Sequence, residues 1–141
     1  MAKSPSRLEF LTPNDWVLLS TKATRLKFSP GEEIIREGAP GETIYIIKKG
    51  IASVELGGGS QRTPVAVLLE DDICGEITFL DGGLTTASVV AKGEVEVDAV
   101  NAEELRQLFA VFSGFSARFY RSLAVALAKR LRETSRQLAK V

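Results

Sequence analysis

Histidine is absent from the 141-residue chain. That removes the side chain whose ordinary pKa lies near neutrality, and with it histidine-dependent triads and histidine-ligated zinc or haem. Cysteine occurs once, at Cys74, which excludes an intrachain disulfide and a cysteine-ligated iron–sulfur cluster. A lone cysteine fits a reducing compartment, and Cys74 reads as a small buried apolar residue. No apolar run approaches the ~20 residues of a membrane span. No apolar stretch follows the basic start Lys3–Arg7, as a secretory signal would require. A cytoplasmic protein is expected. Carboxylate, lysine and tyrosine chemistry stay open on paper, but no nucleophile–base pair can be named. The chain is therefore expected not to be an enzyme, and no metal ligand set is assigned.

Net charge is absent too, since 18 basic side chains balance 18 acidic ones. Taken whole, the balance argues against nucleic acid or membrane as a partner. By segment it does not hold: residues 1–30 carry +3, residues 31–105 carry −10 and residues 106–141 carry +7. An acidic body is joined to a basic tail.

Along the chain, Thr12-Pro13-Asn14-Asp15 has the form of a helix start, with Thr12 as N-cap, proline at N1 and an acid at N3. Trp16 and Leu19 then fall on its inner face. From Thr24 to about Val100 the pattern is one of short strands broken by glycine. They are Arg25–Phe28, Ile34–Ile35, Thr43–Lys48, Ile51–Leu56, Pro64–Leu69, Thr86–Val90 and Val95–Val100. Gly57-Gly58-Gly59-Ser60 makes a hairpin tip. Strands at this spacing favour an antiparallel sandwich or roll over a βαβ fold. Ala102–Phe109 reads as a short helix capped by Asn101, and a long helix runs from about Ser116 towards the end. Leu123, Leu127, Leu131 and Leu138 form an apolar seam along it. The aromatic residues Trp16, Phe79, Phe112, Phe115 and Phe119 read as core, and Glu70-Asp71-Asp72 as a solvated turn.

The stretch from Asp71 to Ala91 carries the chemistry. Gly75-Glu76-Ile77 stands before a helix-compatible turn, and a Gly-Gly loop leads to a hydroxyl-rich strand entry at Thr85, Thr86 and Ser88. Glycine lets a ligand approach the backbone closely, and N–H groups at a helix start make an anion nest. Turns between strands are commonly rich in glycine and threonine, so a bare turn is the competing reading.

With Pro30-Gly31-Glu32, Glu37-Gly38, Ile44-Tyr45-Ile46-Ile47 and Lys49-Gly50 upstream, the sequence resembles the cyclic-nucleotide-binding domain family, including the sensor halves of Crp/Fnr-type regulators. The resemblance spans roughly residues 8–138. It implies a mainly β protein with flanking helices: one domain over 1–141, made of an antiparallel, jelly-roll-like β-roll over about 24–100, a short N-terminal helix and C-terminal helices over about 102–140. It also implies a pocket built by Gly75, Glu76, Ile77, Thr85 and Thr86. In the family's phosphate-binding cassette, Gly75 and Glu76 match the pair whose carboxylate accepts the ribose 2′-hydroxyl. Asp81-Gly82-Gly83 matches the loop. Three positions depart: Cys74 replaces an aromatic residue, Leu84 a proline and Thr85 the arginine that clamps the cyclic phosphate. Losing a charge-assisted, desolvated partner costs on the order of 2–5 kcal/mol. Binding of cyclic AMP or cyclic GMP is therefore expected to be weakened or lost, unless Arg62 or a basic residue of the long helix reaches the pocket.

The resemblance points to a sensory or regulatory module whose ligand is a cyclic nucleotide or another small anion. Two alternatives stand beside it: a ligand-free scaffold or dimerisation module, or the sensor half of a Crp-type regulator without its DNA-binding domain. The basic helix, with Arg118, Arg121, Lys129, Arg130, Arg132, Arg136 and Lys140 against Glu133 alone, reads as a solvated or inter-subunit face and could pair two copies. Sequence-specific DNA binding is not expected of this chain.

Overall fold

The computed structural model describes residues 7–57 and 61–139. Helix α1, Pro13–Lys22, begins as its sequence dictates. Thr12 accepts from the Asp15 backbone N–H at 3.2 Å, and the Asp15 carboxylate accepts from the Thr12 N–H at 3.0 Å, a reciprocal capping box. Eight strands follow: β1 Thr24–Phe28, β2 Glu33–Ile35, β3 Thr43–Lys49, β4 Ala52–Leu56, β5 Thr63–Leu68, β6 Ile73–Cys74, β7 Ser88–Ala91 and β8 Val95–Asn101. The short helix α2, Glu76–Asp81, lies between β6 and β7, and α3, Ala102–Val111, and α4, Ser113–Ala139, close the chain.

The strands form two four-stranded antiparallel sheets, ordered β1-β8-β3-β6 and β2-β7-β4-β5. The jelly-roll-like β-roll expected from the sequence is present, with its N-terminal and long C-terminal helices. In the first sheet β3 is buried on both faces, while the edge strand β1 is largely exposed. Ile47, Val95 and Val97 pack with Ala52, Leu68, Cys74 and Val89 between the sheets. Ile44, Ile46 and Val100 point the other way, onto Leu105, Phe115, Phe119 and Leu123 of the helices. The unbroken apolar run in β3 follows from that double burial. Pro64 sits on the edge strand β5, beside a register shift between Val54 and Glu55, the kind of position at which a sheet tolerates proline.

Several boundaries differ from the sequence reading. Strand β6 was not anticipated, because a two-residue bridge between Ile73–Cys74 and Tyr45–Ile46 has no periodicity to detect. The strand expected from Thr86 starts at Ser88. Helix α4 starts at Ser113, so Gly114 lies inside it. Phe112 is largely outside the core at 41% exposure, whereas Phe79, Phe115 and Phe119 are buried, with Phe79 and Phe115 each edge-on to both Phe109 and Phe119. The acidic turn is not wholly solvated. Asp72 is fully buried, accepting from the Leu69 N–H at 2.8 Å and from Arg7 at 3.3 Å. The leucine seam divides as well. Leu123 is buried, while Leu131 and Leu138 are 67% and 70% exposed. The tip residues 58–60 lie outside the described residues, as does Lys140.

The basic face of α4 is largely engaged by its own chain. Arg118 grips the buried Asp15 through two hydrogen bonds of 2.6 and 2.9 Å, Lys129 meets Glu9 at 2.9 Å and Arg121 lies over the Phe10 ring at 4.1 Å. These contacts tie α4 to the N-terminal segment. The Arg118 guanidinium, helped by the Thr12 N–H and opposed by burial, holds the Asp15 carboxyl at about 2. A folded-state value below the ordinary aspartate value of 3.8 gives stability that is complete above pH ~4 and lost as pH falls towards 2, about 2 kcal/mol in all. Asp15→Asn is expected to lower the melting temperature at neutral pH. Its deficit relative to the parent should shrink across that window in a pH series of thermal melts.

Among the described residues no helix is long and apolar enough to cross a membrane.

Candidate functional site

Strand β6 delivers the chain to α2 through Gly75, whose φ of +89° lies in the left-handed region. A Cβ there would run into the carbonyl oxygen of Thr43 on the neighbouring strand. The turn can therefore approach β3 only as glycine. Gly75→Ala is expected to cost about 2 kcal/mol from the backbone conformation and the collision together, read as a lowered denaturation midpoint. The turn brings the first N–H groups of α2, which have no intrahelical acceptor by geometry, to the edge of a cavity. Glu76 follows at once and is 5% exposed.

The cavity holds about 400 Å³. One wall is the aliphatic inner surface of the second sheet: Ile35, Val54, Leu56, Val65, Leu68 and Val89. Ile73, Cys74 and the Gly75–Thr78 turn line a second side, and Thr85, Thr86 and Ala87 a third. Arg130, Glu133, Thr134 and Gln137 of α4 complete it. All five residues singled out in the sequence, Gly75, Glu76, Ile77, Thr85 and Thr86, line this one space.

Thr85 does not offer the free hydroxyl donor expected of it. Its Oγ donates to the Arg36 carbonyl and accepts from the Ala39 N–H at 2.9 Å. Its backbone pairs with the same segment, accepting from Gly38 N at 2.8 Å and donating to the Ala39 oxygen at 2.9 Å. Thr85 therefore anchors the loop before β3. Arg62, one of the two proposed substitutes for the missing arginine, meets Glu33 at 3.0 Å and does not line the cavity.

A basic residue of the long helix does line the cavity. Arg130 Nη2 lies 3.1 Å from Glu76 Oε1, with the carboxylate side chain 7% and the guanidinium side chain 31% exposed. The other acid of the lining, Glu133, pairs with Arg136 at 3.3 Å and accepts from Gln137 at 3.5 Å. Burial, reinforced by the Glu76 charge, pushes the Cys74 thiol well above its usual range. Cys74 is thus a protonated wall group, not a nucleophile.

The sequence reading allowed for a basic residue of the long helix at the pocket but did not name it, because it followed Leu123, Leu127, Leu131 and Leu138. The face that turns inward runs Phe119, Leu123, Ala126, Arg130, Thr134, Gln137, changing from apolar to polar where α4 passes from the helical core to the cavity. The signal was the same helical spacing with the polar residues kept in register.

Residues 25–111 match the family described as "Cyclic nucleotide-binding domain". Among curated proteins, the chain is 34% identical over 137 residues to "Cyclic GMP-binding protein C" of Dictyostelium discoideum, covering 91% of this chain and 5% of that protein. It is 30% identical over 111 residues to a "cAMP-dependent protein kinase regulatory subunit" of Colletotrichum orbiculare, covering 79% of this chain and 28% of the relative. The chain thus spans well under a third of either relative. Among solved structures, the Thermus thermophilus catabolite activator protein superposes with a TM-score of 0.79 at 28% identity, over 92% of this chain and 59% of that one.

Proposed function

The chain belongs to the cyclic nucleotide-binding domain family, and from that premise we propose that it is a non-catalytic regulatory module in which cyclic AMP and cyclic GMP bind weakly or not at all. One observation carries this reading: at the position matched to the phosphate-clamping arginine stands Thr85, whose hydroxyl is spent on the backbone of Arg36 and Ala39. The cation nearest the cassette, Arg130, is held at Glu76, and a guanidinium engaged with a carboxylate is a poorer partner for a phosphate. The turn geometry supports a small-molecule pocket, since Gly75, Glu76 and Ile77 line the cavity together with Thr85 and Thr86. The last turns of α4 form one side of that pocket. An occupant touching Arg130 or Gln137 would bias where α4 sits, and so pass occupancy to whatever α4 contacts.

Calorimetric titration of the chain with cyclic AMP and with cyclic GMP tests the reading. The expected result is no saturation in the micromolar range for either nucleotide. Saturable micromolar binding of either would overturn it.

A further inference from the structure

A second cavity, of about 510 Å³, lies between the segment before α1, α1 itself and the helix-facing side of the first sheet. That volume is in the range of small-molecule sites. Part of the lining is apolar: Leu8, Leu19 and Ile46 are each 2% exposed, and the half-buried Trp16 stands beside them. The charged part is mostly engaged. Glu9 meets Lys129 at 2.9 Å, Asp98 meets Arg25 at 2.7 Å and Arg7 meets Asp72 at 3.3 Å. Lys48 and Asp71 differ. Their charged atoms stand 3.9 Å apart, beyond hydrogen-bond distance. Both are nonetheless placed by other contacts. Lys48 Nζ lies 5.2 Å from the centroid of the Trp16 ring, and the Asp71 N–H donates to the Ile47 carbonyl at 2.8 Å. A cation and an anion thus face each other across a gap beside an apolar space.

A guest of one sign satisfies half of that arrangement. A cation on Asp71 takes the counter-ion from Lys48, and an anion on Lys48 does the same to Asp71. A neutral guest parts the two and replaces neither. A guest carrying both an ammonium and a carboxylate exchanges one long contact for two charge-assisted hydrogen bonds and leaves the net charge of the cavity unchanged. An apolar side chain on that guest has Leu8, Leu19, Ile46 and the Trp16 ring to bury against. We infer that this second cavity binds a free α-amino acid with an apolar side chain, its carboxylate on Lys48 and its ammonium on Asp71. The two cavities share no lining residue, so this site stands apart from the nucleotide reading.

The single tryptophan of the chain lines this cavity, so its fluorescence reports occupancy directly. Titration of the 141-residue chain with L-leucine and with L-phenylalanine is expected to give a saturable change in Trp16 emission for at least one of them. Its analogue without the carboxylate (isoamylamine or phenethylamine) and its analogue without the ammonium (isocaproate or hydrocinnamate) should each bind roughly tenfold more weakly or worse, one charge-assisted contact being lost in each case. Lys48→Met and Asp71→Asn should weaken the amino acid by a similar factor. Asparagine tolerates the φ of +72° at position 71, and thermal melts check that both variants fold. The analogues, measured on the parent chain, decide the matter even where a variant does not fold. No saturable change with either amino acid at millimolar concentration overturns the inference. So does a singly charged analogue that binds as tightly as its amino acid, or a folded variant of either residue that binds as well as the parent. Calorimetric binding without a change at Trp16 places the amino acid elsewhere and overturns it too.

Discussion

Thr85→Arg is expected to tighten the binding of cyclic AMP or cyclic GMP by roughly thirty- to several-thousand-fold, corresponding to the ~2–5 kcal/mol of a desolvated, charge-assisted phosphate contact. Position 85 lines the cavity, so a longer side chain there has room to extend into it. The substitution also removes the Thr85 hydroxyl from Arg36 and Ala39. With those backbone groups re-satisfied by solvent at a half-buried site, the cost in stability is about 1–2 kcal/mol. The two backbone hydrogen bonds between residue 85 and the Gly38–Ala39 segment do not involve the side chain and should persist. Thr85→Ala is the matched control: it carries the same loop cost and offers no charge. The measurement is titration of the parent and both variants with each nucleotide, beside their melting temperatures. A folded Thr85→Arg protein that binds no better than Thr85→Ala would mean that residue 85 is not the clamp position.

How much of this was legible beforehand differs from element to element, for physical reasons. The start of α1 was readable because capping is local: Thr12, Pro13 and Asp15 carry the whole instruction within four residues. The strands of the roll were readable to within a residue or two, because alternation and glycine punctuation are local as well. Strand β6 was not, since its existence depends on β3 offering Tyr45 and Ile46 as partners. The five cassette residues were grouped by their match to a family, and all five line one cavity. What the sequence could not supply was the state of each side chain. Thr85 looks like a donor in a string of letters, yet its hydroxyl bonds to residues 46 and 49 positions away. Arg130 looks like one of several cations on a solvated face. Its pairing with Glu76, 54 positions earlier, depends on the angle at which α4 crosses the roll. Contacts of that sequence separation are set by tertiary packing alone.

The Arg130–Glu76 pair is also where the largest stability coupling is expected. Arg130→Ala would leave the Glu76 carboxylate, 5% exposed, with its cation removed. Breaking a buried ion pair by deleting one partner costs ~3–5 kcal/mol, and the partial exposure of Arg130 places this case at the lower end, about 3 kcal/mol. Glu76→Gln keeps the shape and removes the charge that has to be solvated, so it should cost less, about 1 kcal/mol. If the loss in Arg130→Ala comes chiefly from a stranded carboxylate, the double variant should be far better than the sum of the two, with a coupling of at least ~1 kcal/mol. Chemical denaturation of the four proteins gives that number. Hydrogen exchange locates it: amides of the last turns of α4 should exchange faster in Arg130→Ala. They should stay close to the parent in Arg136→Ala, whose exposed pairing with Glu133 is worth only a few tenths of a kcal/mol. Additive effects, or equal exchange in the two arginine variants, would show that packing at Leu123 and Ala126 holds α4 on the roll without help from charge. Coupling with localised exchange would instead make Glu76 the group to which both the pocket and the helix answer, so that any ligand hydroxyl bound there competes with, or reinforces, the hold on α4.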